Sequence, residues 1–252
     1  MQVQSIPHLY DTVIPVTWFV GLGLAFSFSE WIAPLRRRSS RAGRVVDTIG
    51  LSVAWVVSAV AIDMVSRMLG IFAGDPLGAV RLPLVLRTVV YVVASDACRY
   101  GAHRLMHTQL FWPAHSFHHS ATFLDWFGGN RASVPHVLMF MAPMAVIARS
   151  LQITPGGVLL NVCIMLFWND FMHANIRLSS TVQRYCEWLI TTPRYHHIHH
   201  SVDVRHRDMN LGSVLTIWDR LFGTYVSPDC VDGQSLKFGT EPSRLWRWLA
   251  GV

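Results

Sequence analysis

The stretches from Thr12 to Ser29, Ala132 to Ala148 and Ser150 to Asn169 contain no Asp, Glu, Lys or Arg. A helix as long as the first or last of them nearly crosses the roughly 30 Å hydrocarbon core of a bilayer. Composition points the same way: 52% of the residues are hydrophobic and 14% charged, against roughly 25% charged in an average soluble domain. The first run begins without a basic leader and meets arginines without a small-residue cleavage pattern, so it reads as a retained anchor rather than a cleaved signal.

The arginines from Arg36 to Arg44, in RRRSSRAGR, mark the cytoplasmic side and leave the N-terminus outside. A second span covers about Val46 to Leu69, with Asp47 and Asp63 confining its purely apolar part to the middle. GDPLG then forms a turn on the outer side. A third span, Leu82 to Ala94, is interrupted by Arg87 and continues as a helix through SDACRYGAHRLMH toward the cytoplasm. The last two apolar runs have little more than RSLQITPGG between them, which makes residues 132–172 an antiparallel helical hairpin entering from and returning to that face. The expected fold is an all-α, multi-pass integral membrane protein with four to five membrane-embedded helices, two of them a hairpin, under a cytoplasmic helical cap.

The net charge of +6 comes largely from arginines, in the cluster above and in SRLWRW, where they sit among tryptophans. That placement suits a membrane surface and excludes a nucleic-acid groove, whose charges would share one solvated face. Cys98, Cys163, Cys186 and Cys230 show no paired spacing, which argues against a disulfide scaffold or a thiolate metal site.

The chemistry is carried by HRLMH (His103, His107), HSFHH (His115, His118, His119), FMHAN (His173) and PRYHHIHH (His196, His197, His199, His200). Residues three and four apart share a helix face, so each cluster can aim its imidazoles in one direction. Packed imidazoles repel when protonated and lose hydration when buried neutral, and a metal resolves both problems. Imidazole suits zinc, copper, iron and nickel. A single tetrahedral zinc takes four ligands and a zinc protease would want HExxH, so eight or nine histidines fit two metals. Bis-histidine haems would draw their pairs from facing spans. A metal transporter would hold its ligands near the bilayer midplane, whereas these gather at helix ends and in loops.

With the trailing DMNLGSVLTIWDRLFGTY, these boxes resemble the fatty acid hydroxylase / sterol desaturase superfamily of integral membrane non-haem di-iron oxidases, over about Asp96 to Tyr225. The resemblance implies a cytoplasmic cap holding two iron ions through His103, His107, His115, His118, His119, His173, His196, His199 and His200. His197 falls on the variable position of the last box. Family members often carry Arg-x-His-Pro after the second box where this chain has NRASVPH, and His136 stays outside the implied ligand set. The division that follows is membrane helices over 1–95, a histidine-box domain over 96–225 and an interfacial tail over 226–252. The implied activity is hydroxylation of a fatty acyl, sterol or related lipid with dioxygen and external electrons; desaturation of a sterol or carotenoid is the alternative. Without GxGxxG or a cysteine cluster, the electrons come from a ferredoxin, a cytochrome b5-like protein or a reductase.

Around the boxes, Asp96, Tyr100, His103 and His107 form one helical stripe, and Asp96 either accepts a ligand histidine's second N–H or caps a helix end. Asp170 and Asn175 flank His173 and are further supports, Asp170 the stronger because it ends an apolar run. Trp218, Leu221 and Phe222 are expected to seat a short helix against the cap, with Asp208 or Asn210 near the metal shell. Trp246 and Trp248, between Arg244 and Arg247, read as an interfacial anchor.

Overall fold

A computed structural model describes residues 7–37, 43–71, 82–241 and 243–252. The GDPLG turn and Arg38 and Arg41 of the arginine cluster lie outside the described residues. The long helices are α1 (Pro7–Ile32), α2 (Arg44–Ile71), α3 (Leu84–Met106), α5 (Val134–Ser150) and α6 (Pro155–His173), with the short α4 (Trp112–Ser116) between α3 and α5. After them come α7 (Ser180–Cys186), α8 (Pro193–His199), α9 (Val204–Arg207), α10 (Ile217–Phe222) and α11 (Leu245–Ala250). Single 3-10 turns cover His118–Ser120, Gly128–Asn130 and Pro228–Cys230. Among the described residues only isolated β-bridges occur, such as Ile190 with Leu215 and Ser201 with Phe238, so the all-helical expectation holds.

Local sequence sets where the functional helices start. Ser133, Thr154 and Thr192 each stand outside a helix and accept a backbone N–H from inside it, His136, Gly157 and Tyr195 respectively. A proline occupies the first turn in all three cases, where its missing N–H costs nothing. Thus α8 begins at Pro193, as its sequence suggests.

Val13–Ile32 and Pro155–His173 are long and apolar enough to cross a membrane, and only 17% and 28% of their most apolar windows are buried. A core helix of a soluble protein would be mostly buried, so these helices expose apolar faces as membrane helices do. The face of α3 that carries Val85, Val89 and Val93 is exposed in the same way. Leu151–Thr154 join α5 to α6, but the main packing pairs are α5 with α2 and α3, and α6 with α1 and α8. Phe26 of α1 meets Phe167 and Phe171 of α6, with centroids 6.0 and 6.5 Å apart. The cap reverses the pattern of the long helices. Its buried residues are largely polar, among them His115, His119, Asn210, Asp219 and nearly every other histidine of the boxes.

Candidate metal centre

All nine histidines of the implied ligand set converge, and they do so as two groups. His103, His107, His115, His119 and His199 form one; His118, His173, His196 and His200 form the other. In each group one nitrogen per residue lies within 4.8 Å of all the others. The groups adjoin: the His119 and His200 rings stack at 4.4 Å and His115 and His118 at 4.9 Å.

One expectation is corrected. The boxes do not each aim one way, because HSFHH sends His115 and His119 to the first group and His118 to the second. HHIHH likewise sends His196 and His200 to the second and His199 to the first. Residues four apart differ by about 40° around a helix and neighbours by about 100°, so the i, i+4 pairs stay together and the adjacent residues part. The paired HH at the end of these two boxes is what lets one short segment serve two centres, the turn from α4 into the 3-10 turn in HSFHH and α8 with its cap in HHIHH.

The outer nitrogens show which way the protons point. Nδ1 of His103 faces the Leu211 carbonyl at 2.7 Å, that of His118 the Arg131 carbonyl at 3.1 Å and that of His173 the Asn169 carbonyl at 2.6 Å. Nδ1 of His199 faces the Met209 carbonyl at 3.1 Å and that of His107 the Asp208 carboxylate at 3.0 Å. Carbonyls and carboxylates only accept, so these five rings donate Nδ1–H outward and turn a bare Nε2 lone pair inward. Nε2 of His118 and Nε2 of His173 then lie 3.1 Å apart with no proton between them. Nε2 of His107 and of His199 have no partner at all among the described residues. Burial pushes His107, His118 and His199 below the usual imidazole range, His118 to about 4, so protonation does not relieve the contact.

A cation does relieve it. Two nitrogens bound at about 2.1 Å to one metal, at angles between square and tetrahedral, are about 3.0–3.4 Å apart. The His173–His200, His173–His196 and His196–His200 Nε2 separations are 3.1, 3.0 and 3.1 Å. The donor set fits a borderline metal held by imidazole in each group.

The carboxylates named from sequence stand elsewhere. Asp96 accepts from the backbone N–H groups of Val214 and Leu215 at 2.9 and 3.0 Å and from Trp218 Nε1 at 2.8 Å, and it bonds no histidine. Its stripe serves both the centre and the segment after the last box: Tyr100 meets Thr224 at 2.8 Å, while His103 and His107, members of the five-histidine group, reach Leu211 and Asp208 through their outer nitrogens. Asp170 Oδ1 accepts from Asn130 Nδ2 at 2.9 Å while Oδ2 has no partner among the described residues. Asn175 grips the backbone of Arg36 through both amide atoms, at 2.9 and 2.8 Å. Arg36 Nη1 in turn donates to His197 Nδ1 at 3.1 Å, and His197 Nε2 donates to the His173 carbonyl at 3.2 Å. His197 is therefore a buried partner of the second group, turned away from its centre. His136, outside the implied set, faces His115 Nδ1 with its own Nδ1 at 3.1 Å.

Asp219 and Gly129 escaped the sequence reading, whereas Asn210 was expected near the metal shell and braces the chain beside it. Asp219 is fully buried and accepts from Leu211 N, Gly212 N, Tyr195 OH and Thr224 Oγ1, which fixes the loop that supplies the Leu211 carbonyl. Asn210 holds a left-handed φ of 55°, tolerable for Asn, and ties Tyr195 to Val226. Gly129 passes so close beneath His173 that a Cβ there would stand 2.2 Å from its Cγ. An aspartate inside the apolar TIWDRLF was the readable signal for the first. Of the residues expected to seat α10, Trp218 does so through Asp96, Leu221 is exposed, and Phe222 is half exposed while stacking on Tyr100; Asp219 holds the helix as well.

Two adjoining imidazole cages at the end of apolar helices define a helical histidine-cluster protein with donor sets able to hold metal ions. The chain belongs to the fatty acid hydroxylase family, whose model, described as Fatty acid hydroxylase, matches residues 88–224. It is 30% identical over 148 residues to the ornithine lipid hydroxylase OlsE of Rhizobium tropici, covering 58% of this chain and 44% of that protein. It is 27% identical over 134 residues to an alkylglycerol monooxygenase of Danio rerio, covering 52% and 28%. With the Delta(7)-sterol 5(6)-desaturase erg3C of Aspergillus fumigatus it shares 25% over 167 residues, covering 58% and 50%. The chain thus spans half or less of the length of these curated relatives. No solved structure matches it.

Proposed function

We propose that this chain is a membrane-bound oxygenase that hydroxylates a C–H bond of a lipid at two iron ions, one in each histidine group. The observation that carries the reading is the set of inward lone pairs, above all the unprotonated 3.1 Å contact of His118 with His173. The relatives named hydroxylase and monooxygenase support the reaction class.

Iron held here would supply the reduction of dioxygen and the removal of hydrogen from an inert C–H bond. In balance, C–H, one dioxygen, two electrons and two protons give C–OH and one water. The ligands proposed are His103, His107, His115, His119 and His199 for one ion and His118, His173, His196 and His200 for the other. The Leu211, Met209, Arg131 and Asn169 carbonyls and Asp208 keep the Nδ1 protons outward and fix the ring planes. Asp96 acts at one remove, by holding the loop that carries Leu211, and Asn175 acts through Arg36 and His197. Asp170 steadies the turn that carries Gly129, through Asn130. Burial of all four rings of the four-histidine group would keep water from that ion.

In this reading α1, α2, α3, α5 and α6 are the four to five membrane-embedded helices, and the cap faces the cytoplasm, a side that Arg36, Arg37 and Arg44 support by the positive-inside rule. Residues 1–95 contribute the N-terminal membrane helices, 96–225 the oxygenase domain, which includes the helices over 132–172, and 226–252 a tail at the surface. An external ferredoxin, cytochrome b5-like protein or reductase supplies electrons. The purified protein, given such a donor and isotopically labelled dioxygen, should place one labelled oxygen in a membrane lipid. An unlabelled alkene as the product would move the reading to the desaturase alternative, and no oxidised lipid at all would overturn it.

A further inference from the structure

A cavity of about 680 Å³ opens beside His119, a size that takes a lipid headgroup with part of its chain. Trp112 and His119 form one side, Phe238 and Trp248 of the C-terminal segment the other, and Arg207 and Arg247 stand in the lining. The C-terminal wall is held in place: Thr240 Oγ1 donates to the Ser116 carbonyl at 3.4 Å, and Trp248 stacks on Phe117 at 5.5 Å. Helix α11 packs against α2, α4 and α5. The cavity therefore lies near the start of α5, where Gly251 at the end of α11 comes up against Pro135, with Trp246 exposed on the same helix, at the level assigned above to the membrane surface. The tail is thus a wall of a cavity as well as a surface anchor.

The charged side chains in this lining are two guanidiniums and one carboxylate, Glu241. Arg207 lies over the Trp112 ring at 4.3 Å and gives its Nε–H to Asp208 at 3.4 Å, so its terminal nitrogens have no partner among the described residues. Arg247 is exposed, with its guanidinium 5.8 Å from the Trp246 ring centroid, and makes no ion pair among them. Guanidinium groups pair with phosphate and carboxylate through two parallel hydrogen bonds. The same Asp208 accepts from His107, and both ring nitrogens of His119 lack a protein partner, so this cavity touches the five-histidine group directly.

From this we infer that the cavity receives an anionic lipid, its phosphate or carboxylate held by Arg207 and Arg247 and its chain running past Trp112 and His119. The inference rests on the oxygenase reading, to which it adds the substrate class. The test uses the full-length protein in detergent and native mass spectrometry, titrating oleoyl lysophosphatidic acid, uncharged monoolein and inorganic phosphate. The charged lipid should bind about tenfold or more tightly than monoolein, as loss of a charge-assisted pair implies. Arg247→Gln and Arg207→Gln should each remove most of that preference while leaving monoolein binding and metal content unchanged, and Glu241→Gln should strengthen it. If Arg207→Gln does not fold, the exposed Arg247→Gln carries the test.

Equal binding of the two lipids, a preference untouched by either arginine, or inorganic phosphate binding as tightly as the charged lipid would overturn the inference. The two readings fail separately. A protein that oxidises lipid without this preference loses only the cavity assignment. One that keeps the preference but holds no iron and oxidises nothing loses only the oxygenase reading.

Discussion

The two histidine groups are built from neighbouring residues of the same boxes, yet they differ in what surrounds them. The four-histidine group takes His173 from the end of α6, and its two outward Nδ1–H donors meet backbone carbonyls, Arg131 and Asn169. The five-histidine group takes none from the α5–α6 pair; one of its rings is oriented by a carboxylate, Asp208, whose side chain is 48% exposed, and another lines an open cavity. The difference separates an enclosed position, fixed by main chain, from an accessible one tuned by a side chain. In the proposed enzyme the substrate reaches the dimetal centre from the five-histidine side.

The largest expected effect comes from breaking the enclosed group. His173→Ala removes its one ligand from the membrane helices and should leave one metal per chain, with no oxidised product; two metals by elemental analysis would refute the assignment. Gly129→Ala reaches the same group indirectly, since the new Cβ occupies the place of the His173 ring. It should lower metal content and activity about tenfold or more, the usual penalty for displacing a ligand's support, while Gly101→Ala, where a Cβ meets nothing within 4 Å, should change neither.

Asp208→Asn sharpens the contrast from the other side. It should cost about 10- to 100-fold in activity or affinity at the five-histidine group and leave occupancy of the four-histidine group unchanged. Equal losses at both would show that the groups are not separable in this way.

Acid should act on both. In the metal-free protein His118 stays neutral down to about 4 although its ordinary value is 6.5. A base whose pKa is lowered by folding leaves stability intact above 6.5 and costs it as pH falls from 6.5 toward 4, because only the unfolded chain takes up the proton there. Thermal melts of the metal-free protein should therefore fall across that window, and a flat profile would contradict the burial of the rings. The smallest effect is expected of Tyr195→Phe, which takes one donor of four from Asp219 and should cost about 1 kcal/mol without changing metal content.

Much of this was legible because the relevant signals are local. The apolar runs and the histidine spacings can each be read over a few residues, and the boxes those spacings form carry the family resemblance that implied the nine clustered histidines. What escaped depends on chain segments that meet only in the fold. Asp96 sits on the right stripe of α3, but its partners are backbone N–H groups of Val214 and Leu215, which no pattern around Asp96 announces. Gly129 looks like any loop glycine until His173 arrives above it. The parting of His118 from His119 follows from helix geometry, yet it becomes visible only when both groups are in place.

The most direct test is the metal content of the purified full-length protein, read together with its absorption spectrum. The account expects two iron atoms per chain, no Soret band, and a fall to one iron in His173→Ala. A single zinc, or a haem spectrum, would contradict it.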